Sequence, residues 1–271
     1  MIAKKIGIIG GGNMGEAILA GLSKVMEKST SIMVSELDAK RREYLQDKYK
    51  IIVEIDNNRV VKYSDVVIIA VKPKDFASLL NAEVCCGVSK DKLIISIAAG
   101  ITTKYIEKIV GKDVPVIRVM PNMASLIGEG MACMSKGSSA SASDIEITRD
   151  IFSTIGDVIE VSEKHVDAVT AISGSGPAYF FYLIESLIDG AVTLGLKRSE
   201  ARKLVVQTAL GSAKLVNELD EHPKDLRARI TSKGGTTEAA FKVFESRKFK
   251  DIVRHAVKAA CKRSKEISGG K

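Results

Sequence analysis

"KKIGIIGGGNMG", residues 4–15, joins a short apolar run to glycines spaced as G-x-G-x-x-G. The run is too short to cross a membrane and reads as a buried strand. Gly10 permits a tight strand-to-helix turn, Gly12 lets backbone approach a pyrophosphate, and Gly15 lets the next helix pack close to the sheet. Amides at the helix start, around Asn13 and Met14, then face phosphates with the favourable end of the helix dipole. Alone the pattern is weak. Its context is stronger: a strand precedes it, helical spacing follows, and Glu36 stands about twenty residues on. The expected ligand is a dinucleotide.

Outward from that turn, strand-like and helix-like segments alternate. Apolar runs at 31–36, 51–55, 65–71, 93–98 and 114–120 lack polar alternation, as strands buried on both faces do. "MACM" (131–134) and "DVIEV" (157–161) are candidate edge strands. Beyond about residue 163 the strand signals stop, and 176–196, 198–219 and 249–267 carry helical spacing. The fold class expected is α/β: an N-terminal Rossmann-like, doubly wound parallel sheet over residues 1–163. An all-α substrate-binding and dimerisation domain over 164–271 follows. Ala178 to Val192 is apolar nearly all round, and so few helices leave it under-covered. A homodimer, or a higher oligomer built from dimers, is therefore expected.

Composition narrows the partners. A net charge of +8 favours anions, including phosphorylated cofactors and carboxylates. With no tryptophan and no run of five like charges, a nucleic-acid partner is not expected. The four cysteines (Cys85, Cys86, Cys133, Cys261) form no CxxC pair, so no metal site is expected. Reduced cysteines, and the absence of a cleavable leader or spanning segment, point to a cytoplasmic protein without membrane partners. His165, His222 and His255 have no convergent carboxylates and read as surface or packing residues.

The cofactor contacts expected from strand ends are several. Glu36 would accept hydrogen bonds from ribose hydroxyls and repel a 2′-phosphate, yet Ser35, Lys40, Arg41 and Arg42 stand near enough to counter one. The sequence leaves NADH and NADPH both open. Asn57 and the "AVKP" segment (Ala70, Val71, Lys72, Pro73) join the expected set. The small residues Ala98, Ala99 and Gly100 would let the nicotinamide half lie close to backbone.

One stretch, "ITSKGGTTEAAF" (230–241), places two glycines and two threonines where the flanks ask for helix. Together with "GGGNMGEAI", "AVKP", "IAAGI", "RVMPN", "SGSGPAYFF" and "QTALGSAKL", it makes the chain resemble the pyrroline-5-carboxylate reductases nearly end to end. That family makes L-proline by reducing a cyclic imine with NADH or NADPH. The resemblance implies that Ser232, Gly234, Gly235, Thr236 and Thr237 hold the substrate carboxylate. It makes Thr237 the residue that hydrogen-bonds the ring nitrogen. Backbone amides around Gly235 to Thr237, just before a helix near Glu238, would form the anion site. Ser175 and its following amides could line the pocket or simply cap a helix.

Two departures stand out. Lys233 replaces the proline of the family's "SPGG", and "PNMAS" (121–125) replaces "PNTPA". A rival reading is another imine or β-hydroxyacid oxidoreductase on the same scaffold. The β-hydroxyacid enzymes need a lysine on the long helix, and Ala178 to Ile188 has none. A deazaflavin-dependent NADP reductase would explain the first half but not "GGTTEAAF".

Overall fold

The computed structural model describes residues 2–26, 31–80 and 87–269. Cys85 and Cys86 lie outside the described residues. Strands β1 (Ile6–Ile9), β2 (Ile32–Ser35), β3 (Ile52–Glu54), β4 (Val66–Ile69), β5 (Leu93–Ser96) and β6 (Val116–Met120) pair in parallel, in the order β3-β2-β1-β4-β5-β6. Their order reverses between β1 and β4, where open α/β sheets bind ligands at the strands' carboxyl ends.

The sheet continues into two further strands. Strand β7 (Gly130–Lys136) runs antiparallel to β6, and β8 (Gly156–Glu160) pairs in parallel with β7. Both expected strands are present, but only β8 is an edge; β7 is paired on both sides. The reversal at β6–β7 was not foreseen, because apolar runs carry no strand direction.

Helices α1 (Asn13–Val25), α2 (Ala39–Tyr49), α3 (Asn57–Tyr63), α4 (Phe76–Leu79), α5 (Thr103–Val110), α6 (Ala142–Phe152) and α7 (Val166–Val169) follow the strands. Every residue of β1, β2, β4 and β5 is buried, as a sheet covered on both faces requires. Alternate residues point to opposite layers. Ile6, Ile8, Ile68 and Ile95 enter one core with Ile18, Leu22 and Phe152. Ile9, Val67, Ile69 and Ile94 enter the other with Val60, Phe76 and Ile106.

The chain ends in α8 (Gly176–Thr193), α9 (Arg198–Leu219), α10 (Pro223–Arg229), α11 (Thr236–Ser246) and α12 (Phe249–Gly269). Pro223 at the first position of α10, with the His222 ring accepting from the Lys224 amide, starts that helix. Compactness divides the chain into Met1–Ser175 with Ala260–Lys271, and Gly176–Ala259. The expected division, 1–163 and 164–271, differs from this at both ends. Residues 164–175 continue into α7 and a π-helical turn at Thr170–Gly174. The end of α12 returns to the first unit: Ser264 and Ser268 donate to Asp167 at 2.6 and 3.2 Å. No helix among the described residues is long and apolar enough to cross a membrane.

Candidate functional site

At the end of β1 the chain turns on Gly10, whose φ of +103° a side chain rarely adopts. Its amide donates to the Ser35 carbonyl at 2.9 Å, which ties the turn to β2. A Cβ at Gly15 would fall 2.0 Å from the Gly10 carbonyl oxygen, so α1 sits directly on the turn. Gly12 has no neighbour within 4 Å of where a Cβ would stand, and its φ is an ordinary −66°. Nothing among the described residues requires glycine there, and its backbone is open to a ligand.

That open face belongs to a cavity of about 530 Å³, within the range of small-molecule sites. Gly10, Gly12, Ser35 and Glu36 form part of its wall, with Asn57, Ala70, Val71 and Lys72. Leu37 and Leu79 add apolar surface. Ser35 borders it, and its buried hydroxyl has no hydrogen-bond partner. Open backbone at Gly12, an orphan hydroxyl at Ser35 and a carboxylate at Glu36 fit a dinucleotide.

Around this wall the charges are tightly paired. Glu36 accepts from the Gly11 amide at 2.9 Å and the Asp38 amide at 3.0 Å. The Arg41 Nε donates to the Gly11 carbonyl at 2.7 Å, and its guanidinium pairs with Glu16. Lys48, Tyr44 and Tyr49 also converge on Glu16 at 2.9–3.0 Å. Burial works to raise the Glu16 pKa, but hydrogen bonds from Lys48, Arg41, Tyr49 and Tyr44 outweigh it and bring the carboxyl down to about 2.

The second constellation lies at the start of α11. Gly235 donates its amide to the Ser232 carbonyl at 3.0 Å, closing a four-residue turn with Gly234 at φ +76°. A positive φ at the third turn position is the type II geometry, which glycine permits. A Cβ at Gly235 would meet the Ser232 Oγ at 2.4 Å. Gly235 is the N-cap and offers no side-chain cap.

Two expectations are corrected here. The helix starts at Thr236, not near Glu238, so the threonines occupy its first turn. The amides of Gly234 and Gly235 are engaged, by the Glu238 carboxylate at 2.9 Å and by Ser232. The first-turn amides of Thr236, Thr237 and Glu238, which a helix cannot pair internally, are the donors left to an anion. A cleft of about 360 Å³ beside α10 and α11 is lined by Lys224, Arg227 and Glu238, and none of the five expected substrate residues reaches its wall.

Comparison with known proteins decides between the readings. The family model described as pyrroline-5-carboxylate reductase dimerisation matches residues 163–267. One described as NADP oxidoreductase, coenzyme F420-dependent, matches residues 5–100. A pyrroline-5-carboxylate reductase of Synechocystis is 42% identical over 97% of this chain and 98% of its own. The chain belongs to the pyrroline-5-carboxylate reductase family. A reductase structure from Coxiella burnetii superposes with TM-score 0.90 at 34% identity, covering 98% of each chain. One from Plasmodium falciparum, with NADP bound, gives 0.88 at 33% identity, covering 99% of each.

Within this reductase scaffold the remaining expected residues fall away from the cavity wall. Asn13 is exposed at the first position of α1, while Met14 packs against the core. Gly15 is spent on packing, and Pro73 stands just past Lys72. Ala98 and Gly100 are buried and Ala99 half-buried. A Cβ on Gly100 would stand 2.8 Å from the Ile267 side chain, so its smallness admits α12. Asn122 braces the "VMPN" loop: its amide donates to the Ser173 carbonyl, and its oxygen accepts from the Ala124 and Met131 amides. The amide of Ser175 closes the π-helical turn onto the Thr170 carbonyl.

Sequence reasoning missed Gly11 and Leu37. A Cβ at Gly11 would meet Leu45 at 2.5 Å, and its place in the middle of three consecutive glycines was the available signal. Leu37 is 76% exposed, an apolar residue between two acids at a strand end, which could have marked it as a ligand contact.

Two outcomes follow for this reductase. Because the Glu16 carboxyl is lowered from 4.5 to about 2, its contribution to stability is complete above pH 4.5 and is lost as pH falls toward 2. Urea unfolding of wild type and Glu16→Gln should differ at pH 7 and converge near that lower limit; a constant gap would contradict the network. At the turn, proline suits the second position that Lys233 occupies. Lys233→Pro should stabilise the protein by about 0.4–1 kcal/mol in thermal or chemical denaturation, and a loss would exclude the type II turn.

Proposed function

We propose that the chain reduces 1-pyrroline-5-carboxylate to L-proline with NADH or NADPH, the last step of proline biosynthesis. The observation that carries this is the uncapped, glycine-led start of α11 on a chain that also holds a dinucleotide cavity. Bound NAD(P)H supplies the hydride. Gly12 and the first-turn amides of α1 would hold the pyrophosphate, Ser35 and Glu36 the adenosine ribose, and the half-buried Ala99 the nicotinamide half.

The substrate is an anion with an imine. Its carboxylate would dock on the amides of Thr236, Thr237 and Glu238, where the dipole of α11 favours negative charge. The Ser232 hydroxyl stands beside Gly235 in the same turn. An iminium accepts hydride better than a neutral imine, because positive charge falls during transfer. Thr237 would hold the ring nitrogen's proton by hydrogen bonding. Threonine is too weak an acid to be the proton's source near neutrality, so water or preprotonated substrate provides it. Alignment of donor and imine carbon can lower the barrier by about 7–11 kcal/mol.

Two copies would complete the helical unit. On α8, Phe180, Leu183 and Leu187 share one face and are 66%, 41% and 47% exposed. Contiguous exposed apolar surface of this kind marks an association site.

Purified protein should oxidise reduced nicotinamide only with pyrroline-5-carboxylate present. Thr237→Ala should lower turnover at saturating substrate by at least about tenfold while leaving cofactor affinity nearly unchanged. Unaltered turnover would remove Thr237 from the chemistry. In analytical ultracentrifugation the chain should sediment as a dimer or larger, and a fully active monomer would refute assembly through α8.

A further inference from the structure

We infer that the cavity at the end of β2 selects an unphosphorylated adenosine ribose, so that NADH is preferred to NADPH and Glu36 sets the preference. The inference rests on the reading of this cavity as the dinucleotide site. Glu36 lines the wall beside Gly10, Gly12 and Ser35. Its two carboxylate oxygens each hold a backbone amide, Gly11 at 2.9 Å and Asp38 at 3.0 Å. Swinging aside for a phosphate would strand both donors, one of them in the glycine turn itself. Each oxygen retains acceptor capacity, which suits the hydroxyl donors of a ribose. A phosphate brings only acceptors and further negative charge.

Three of the neighbouring cations, Arg41, Arg42 and Lys48, are committed elsewhere. Arg41 holds the Gly11 carbonyl and Glu16. Arg42 donates to the Glu36 and Leu37 carbonyls at 2.9 and 2.7 Å. Lys48 is bound to Glu16 and the Tyr44 hydroxyl. Lys40 is exposed in the first turn of α2, where solvent and salt screen its charge. Lys72 and Lys74 line the cavity from the β4 side, and β1 lies between β4 and β2.

Fluorescence titration of the substrate-free protein with each reduced nucleotide tests this without turnover. NADH should bind at least about tenfold tighter than NADPH near physiological ionic strength, because juxtaposed like charges are costly. Added salt should narrow the gap by screening repulsion, whereas a cationic phosphate site would lose NADPH affinity with salt. Glu36→Gln, which keeps one acceptor and removes the charge, should reduce the ratio several-fold. Equal or tighter NADPH binding to wild type would overturn the preference alone. Failure of both nucleotides to bind would overturn the cofactor reading and the preference together.

Discussion

Gly11 is gripped from both sides: its N–H by the Glu36 carboxylate and its carbonyl by the Arg41 side chain. This pair of contacts fixes the glycine turn against β2 and α2. The turn in turn sets the distance of α1 from the sheet, since a methyl group at Gly15 would overlap the Gly10 carbonyl. Only with α1 that close can its first amides face the open backbone at Gly12. The acid and the base act as a unit, because Glu16 on α1 balances Arg41 on α2. Exposed ion pairs of this type contribute little individually, but a part-buried network with shared partners restricts geometry. Its value here is positional.

The doubly wound sheet was legible because parallel strands bury both faces and so appear as unbroken Val and Ile runs. Val66–Ile69 and Leu93–Ser96 are entirely buried, with alternate residues feeding two cores. Strand direction was not legible, and β7 turned out antiparallel to β6. The start of α11 was misplaced by two residues for a physical reason. Threonine has weak helix propensity, yet at first-turn positions its amide needs no internal partner, so the propensity argument loses force there. The close approach of Ile267 to Gly100 was not legible, because that residue lies far along the chain and no local pattern could announce it.

The two glycine-rich turns solve related problems differently. In the first, glycine admits a helix close to a strand and leaves Gly12 open outward. In the second, Gly234 supplies the positive φ and Gly235 avoids Ser232, while Glu238 reaches back to the Gly234 amide. The carboxylate of Glu238 thus satisfies the Gly234 amide and the Ser232 carbonyl satisfies the Gly235 amide, which leaves the amides of Thr236, Thr237 and Glu238 open. An oxygen-bearing N-cap such as serine would have covered one of those three. With no side-chain cap at Gly235, those amides stay uncovered.

The net charge of +8 says only that anions are welcome somewhere on the surface. Which anion is accepted at a given point depends on donors within hydrogen-bond reach, and at the end of β2 the arginines face backbone carbonyls. On the proposed reading the glycine turn would contact features common to both nicotinamide cofactors, so it can persist while the residues after β2 vary. A relative at 33% identity that carries NADP is therefore compatible with a chain whose own strand end presents Glu36. On the proposed reading the reaction would be constrained at the start of α11, while the residues after β2, which would touch no reacting atom, would be free to diverge.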